Sequence, residues 1–143
     1  MGLLSNLFGG SSKKAGDDVL LLAGMIAMCS IDGSFQEEEQ ISVAGFVSTL
    51  PEFRGKDIRG LMRLAAQQLK AAGSAAGLMS KLASIESPAV RSKLFVLASD
   101  LAMSSGDIDD AEEKLLADMQ KALQVDDATA KKVVEVLALK YAV

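Results

Sequence analysis

The chain has 143 residues, half of them hydrophobic, with a formal net charge of −4 and no histidine. The lack of histidine excludes histidine-dependent catalytic triads and removes the commonest transition-metal ligand. The negative charge argues against nucleic-acid binding, which depends on a clustered positive field. The length suits one domain whose core needs no disulfide or metal. The only cysteine, Cys29, is predicted to be a small core residue in a reducing, cytoplasmic compartment.

Residues 1–16 are predicted to form an N-terminal apolar segment and a linker, and residues 17–143 a single helical domain. Four apolar side chains precede a linker rich in glycine, serine and lysine, and they are Leu3, Leu4, Leu7 and Phe8. The segment lacks the charged start and the apolar length of a secretory signal. It is predicted to fray or to dock on the core, and the alternative is a weak contact with a membrane surface or a partner. No apolar run approaches the roughly 20 residues of a membrane span.

Apolar periodicity and capping signals predict helices along the whole domain and no strand. The expected helices cover about residues 17–30, 34–50, 57–72, 75–84 and 89–104, then one from Asp107 or Asp109 and one after Asp127. Asp17 or Asp18 is expected to cap the first. The first and fifth are apolar on nearly every side, which predicts a central position for both. The second helix is expected to bury Ile41, Ala44, Phe46, Val47 and Leu50, and the third Ile58, Leu61, Met62, Leu64, Ala65 and Leu69.

Two stretches that follow the apolar helices share one pattern: Gly, any residue, a bulky apolar residue, three further residues and Glu. A shift of 73 positions superimposes three pairs, namely Gly33 and Gly106, Phe35 and Ile108, and Glu39 and Glu112. We interpret the chain as a duplicated unit. The predicted fold is an all-α bundle of about seven helices with two pseudo-repeated hairpins, formed by helices one and two and helices five and six.

The turns of both hairpins are rich in carboxylates, which are the ligands that hard cations such as Ca²⁺ and Mg²⁺ prefer. The sequence therefore predicts a divalent-cation site in each turn, with Ca²⁺ preferred. The ligands of the first site are expected to be Asp32, Glu37, Glu38 and Glu39. Those of a weaker second site are expected to be Asp107, Asp109, Asp110 and Glu112. Neither turn is an EF-hand, because the alternating acidic residues ahead of the central glycine are missing.

The alternative for these turns is helix capping, because Asp and Glu collect at helix N-termini to bind free amide groups. Ser34 with Glu37, and Asp109 with Glu112, have the spacing of caps. Each turn nevertheless carries more carboxylates than capping uses, and a cation would relieve the repulsion among them.

Three segments together resemble the TerB-like tellurite-resistance family, and they are Met1–Phe8, Met25–Gly33 with the glutamates that follow, and Leu101–Lys114. The resemblance implies a seven-helix bundle with internal pseudo-symmetry, paired acidic sites for divalent cations and no enzyme activity. It also implies a role in bacterial resistance to tellurite and other stresses, alongside membrane-associated protein partners. The matching acidic residues are Asp32, Glu37 and Glu38 in the first motif and Asp109, Asp110 and Glu112 in the second. Ser105 departs from the family pattern, which has Asp at that place.

The leading hypothesis is a non-enzymatic, cation-binding helical module that acts through protein contacts in the cytoplasm or at the inner face of the membrane. The alternative is a metal-free interaction scaffold that its N-terminal segment recruits to a membrane or a partner. A third class of function is hydrolysis assisted by a Mg²⁺ ion that carboxylates hold. The sequence shows no nucleophile or phosphate-binding loop that such a reaction would use.

Two further features have open alternatives. A basic stripe is formed by Arg54, Lys56, Arg59 and Arg63. It is either a solvated face or a contact for an oxyanion or an acidic partner. Asp100 lies on an otherwise apolar helix, about two turns before the second acidic turn, so it either reaches that turn or points into a polar gap.

Overall fold

The computed structural model describes residues 15–31, 37–104 and 106–143. Residues 1–14, which hold the apolar N-terminal segment, lie outside this range, as do Asp32 and Ser105 of the acidic turns and the predicted cap residue Ser34. The described residues form no strand and seven α-helices, which are α1 (Asp17–Cys29), α2 (Glu37–Val47), α3 (Ile58–Ala72), α4 (Ala75–Leu82), α5 (Pro88–Met103), α6 (Asp110–Ala122) and α7 (Asp127–Lys140). The predicted all-α bundle of about seven helices is confirmed, while the duplication stays a prediction. None of the helices described is long and apolar enough to cross a membrane.

The two apolar helices are central, as predicted. Helix α1 contacts α2, α3, α4 and α5, and α5 contacts α1, α6 and α7. Where α1 meets α5, a Cβ on Gly24 would lie only 2.7 Å from the Cδ2 atom of Leu94. Because Gly24 has no side chain, the Leu94 side chain fits directly against the backbone of α1.

The start of α1 differs from the predicted carboxylate cap. The N-cap residue is Gly16, which has no side chain, and within the first turn Asp18 Oδ1 accepts a hydrogen bond from the Val19 backbone N–H at 2.8 Å. The Asp17 carboxylate instead accepts hydrogen bonds from the backbone N–H groups of Glu86 and Ser87, at 3.1 and 3.0 Å. Asp18 forms an ion pair with Lys56 at 2.7 Å. These carboxylates therefore join α1 to distant parts of the chain, because α1 begins beside the turn that precedes α5.

Two residues that the sequence predicted to be buried are exposed. Ile41 of α2 is 66 % exposed and Leu64 of α3 is 47 % exposed. In α2 the buried residues are Val43 and Val47, which lie one turn apart. Ile41 precedes Val43 by two positions, or about 200° around a helix, so it points away from the core. Counting apolar residues in a short helix does not reveal which of them face inward.

Helix α5 begins with the predicted cap. The Ser87 hydroxyl oxygen accepts a hydrogen bond from the backbone N–H of Val90 at 3.3 Å, and Pro88 occupies the first helical position. Ser87→Ala is expected to lower the free energy of unfolding by about 1 kcal/mol, measured by urea denaturation. The control is Ser92→Ala, an exposed serine within α5. Equal losses in the two variants would contradict a capping role.

Candidate cation site

A cavity of about 450 Å³ lies where the ends of α1 and α5 meet the starts of α2 and α6. Its lining residues are Met28, Cys29, Ile31, Glu39, Ser42, Phe46, Leu101, Ser104, Asp109 and Glu112. Glu39 belongs to the first acidic stretch, whereas Asp109 and Glu112 belong to the second. The fold therefore brings carboxylates from both stretches to the same cavity. Cys29 is half-buried at this cavity and is not fully enclosed in the core.

A capping box holds the two carboxylates at the start of α6. The Asp109 Oδ1 atom accepts a hydrogen bond from the Glu112 backbone N–H at 2.8 Å. The Glu112 Oε1 atom accepts one from the Asp109 backbone N–H at 3.3 Å. The capping alternative is thus confirmed for this pair. A carboxylate has two oxygens and about four acceptor sites, so a cap leaves each group able to bind a cation as well.

Six of the residues that line the cavity form three pairs, and the two members of each pair are the same number of positions apart in the sequence. The pairs are Met28 and Leu101, Ile31 and Ser104, and Glu39 and Glu112, each separated by 73 positions. This is the same offset that relates the two acidic stretches in the sequence. The glutamates that end the shared pattern therefore line one cavity.

Helix α2 has a different role on each of its faces. The cavity is lined by Glu39, Ser42 and Phe46, whose spacing of three and four residues defines one helical face. Val43 and Val47 face the core. Glu37, Ile41 and Ala44 line a separate groove next to α3. Consecutive glutamates of α2 therefore point to different surroundings.

The other predicted ligands that the structure describes do not line the cavity. Glu38, Asp107 and Asp110 are exposed, and Glu37 lines the groove next to α3. In the described part of the chain, no three acidic or cysteine side chains lie close enough together to hold a metal ion. The carboxylates at the cavity have the oxygen chemistry that Ca²⁺ and Mg²⁺ prefer. A complete coordination shell would need further ligands, and Asp32 lies outside the described residues.

Asp100 takes neither of the two predicted positions. It is buried, and its carboxylate accepts hydrogen bonds from Lys140 Nζ at 2.8 and 3.0 Å and from the Tyr141 hydroxyl. The hydrogen bond with Asp100 raises the pKa of Lys140. Burial and, secondly, the hydrogen bond with Asp100 raise the pKa of Tyr141. Lys140 Nζ also lies 5.6 Å from the ring centroid of Phe46, next to the cavity.

The basic stripe divides into parts with different surroundings. Lys56 is paired with Asp18, and Arg54 is exposed. Arg59 and Arg63 of α3 line the same groove as Glu37. Arg63 also lines a shallower pocket together with Lys56, so the groove next to α3 is where the two arginines of the stripe meet.

Comparison with known proteins gives a family for the chain. The family model described as "Tellurite resistance protein TerB" matches residues 18–134, which is most of the chain. No curated protein and no solved structure matched significantly. The matched region begins in α1 and ends in α7, so it includes both acidic stretches and all the residues that line the cavity. The chain therefore belongs to the TerB tellurite-resistance family.

Proposed function

We propose that this chain is a non-enzymatic helical module that binds a divalent cation, Ca²⁺ in preference to Mg²⁺. The observation that carries the proposal is the meeting of Glu39, Asp109 and Glu112 at one cavity. Membership of the TerB family supports a role in resistance to tellurite and other stresses. In that role the module acts through contacts with protein partners, including membrane-associated ones, in the cytoplasm or at the inner face of the membrane.

The surroundings of the cavity favour a bound cation. Three carboxylates line one cavity, and each of them would attract a divalent ion that entered it. The apolar side chains of Ile31 and Phe46 line the same cavity, and apolar walls strengthen electrostatic interactions by lowering the local dielectric constant. Glu39, Asp109 and Glu112 line the cavity without forming a ready-made ligand set. We propose that they move together when the ion binds, with Asp32 as a further ligand.

Calorimetric titration with Ca²⁺ and Mg²⁺ tests this proposal. Glu39→Gln and Glu112→Gln are each expected to weaken Ca²⁺ binding by about tenfold or more, because each removes a charged ligand. Glutamine at position 112 can still complete the capping box, so the start of α6 is preserved. Amide shifts of residues 37–42 and 109–113 in NMR spectra should report the same binding event.

The matched control is Glu113→Gln, which removes the same charge from the position next to Glu112. Glu113 is exposed and does not line the cavity, so Ca²⁺ affinity should stay unchanged. An equal loss in this variant would show non-specific charge attraction instead of a site. The absence of any heat or amide shift at millimolar Ca²⁺ and Mg²⁺ would refute the proposal and favour the metal-free scaffold.

A further inference from the structure

A second concave surface lies between α2 and α3. Both helices pack against α1, but they make little direct contact with each other. A groove of about 660 Å³ remains between them, and its apolar lining includes Ile41, Ala44 and Met62. Ile41 is a large apolar side chain with 66 % of its surface exposed. The groove thus offers an apolar surface that nothing else in the described chain covers.

One side of this groove is positively charged. Arg59 and Arg63 lie four residues apart on α3, so they project from one face one helical turn apart. Lys56, Lys93 and Lys140 each pair with a carboxylate. Arg59 and Arg63 have no ion pair with any residue that the structure describes. The groove lining contains one carboxylate, that of Glu37, beside these two arginines, so its net charge is positive. A positively charged, partly apolar groove complements a ligand that is both apolar and acidic.

We propose that this groove binds an amphipathic helix of a protein partner. Such a helix would insert an aliphatic stripe beside Ile41 and Met62, in the manner of helix-in-groove recognition. Two acidic residues one turn apart on the partner would match the spacing of Arg59 and Arg63 and form charge-assisted hydrogen bonds with them. A free phosphate would leave Ile41 uncovered, and a flat membrane surface does not fit a concave groove.

This inference does not depend on the cation site. Glu37 lines the groove, whereas Glu39 lines the cavity. A protein that fails to bind Ca²⁺ could therefore still bind a helix between α2 and α3. The two proposals are separated by testing Glu39→Gln, which should leave helix binding in the groove unchanged.

A random peptide library displayed on phage tests the proposal. The library is selected on the full-length protein and depleted on the Arg59→Glu/Arg63→Glu variant. We expect the enriched peptides to have apolar residues at helical spacing and two acidic residues one turn apart. A synthetic enriched peptide should bind about tenfold more weakly when its glutamates are replaced with glutamine, measured by fluorescence anisotropy. Ile41→Ser should weaken binding by about tenfold as well, through loss of apolar contact.

The matched control is Arg54→Glu, which introduces the same charge reversal at an exposed arginine outside the groove lining. It should leave peptide affinity unchanged, and circular dichroism should show all variants folded. The proposal is overturned if no peptide is enriched over the depletion step, if the enriched peptides are neutral or basic, or if Arg54→Glu weakens binding equally. It is also overturned if phosphatidylglycerol vesicles bind in an Arg59- and Arg63-dependent way while no peptide does.

Discussion

Replacing Leu94 with alanine is expected to lower the free energy of unfolding by about 2–5 kcal/mol. Leu94 is 0 % exposed, and its two methyl carbons occupy the space next to Gly24, at 2.7 and 2.8 Å from where a Cβ would lie. Truncation would remove the contacts of the Leu94 side chain with the backbone of α1 and leave a cavity. Urea denaturation followed by circular dichroism measures the loss. Val96→Ala, at an exposed position of α5, should cost less than about 1 kcal/mol.

A second substitution at the same crossing gives a sharper test. In the native protein, Gly24→Ala places a methyl group against Leu94 and should cost about 1–3 kcal/mol. In the Leu94→Ala background that methyl group has room. The same change should then stabilise the protein by up to about 1 kcal/mol, because alanine has the higher helix propensity. If Gly24→Ala destabilised both backgrounds equally, the close approach of α1 and α5 would not be the cause.

The features that were predictable from the sequence are those that depend on local signals. The Ser87 cap with Pro88 after it, and the Asp109 and Glu112 capping box, each form within four residues, so their spacing alone predicts them. The central positions of α1 and α5 follow from helices that have almost no polar face. These signals do not depend on how the helices are arranged around one another.

The features that were not predictable depend on tertiary packing. The sequence gives two acidic turns as separate sites, and only the packing of α2 against α1 places Glu39 at the same cavity as Glu112. Similarly, packing of α2 onto the core buries Val43 and Val47, which leaves Ile41 exposed. The partners of Asp100 lie 40 and 41 positions away, and no local pattern connects them.

Asp100→Asn is expected to lower the free energy of unfolding at pH 7 by about 1–3 kcal/mol. The buried carboxylate accepts hydrogen bonds from Lys140 and Tyr141 and so holds the end of α7 against α5. Asparagine keeps the size of the side chain but loses the charge and one acceptor oxygen. The control is Asp118→Asn, which breaks a surface ion pair with Lys114 and should cost less than about 1 kcal/mol. Equal losses would show that Asp100 has no special role.

Tyr141 is the only tyrosine and the chain has no tryptophan. The ultraviolet absorbance of the protein therefore reports the ionisation of this one residue, which contacts Asp100. Burial and the hydrogen bond with Asp100 raise the pKa of Tyr141 above its ordinary 10.0, and the hydrogen bond with Asp100 raises that of Lys140 above 10.5. Both groups hold their protons more tightly in the folded state. Their contribution to stability is therefore present below about pH 10 and is lost as the pH rises through the folded-state pKa values.

In Asp100→Asn, the tyrosinate absorbance should show the pKa of Tyr141 moved part of the way back toward 10.0, because burial persists while the carboxylate is gone. The loss of stability at alkaline pH should also become shallower, since Lys140 then has no carboxylate that favours its charged form. An unchanged tyrosine titration in the folded variant would mean that burial alone sets the pKa of Tyr141. Asp100 would then hold the end of α7 through its ion pair with Lys140 alone.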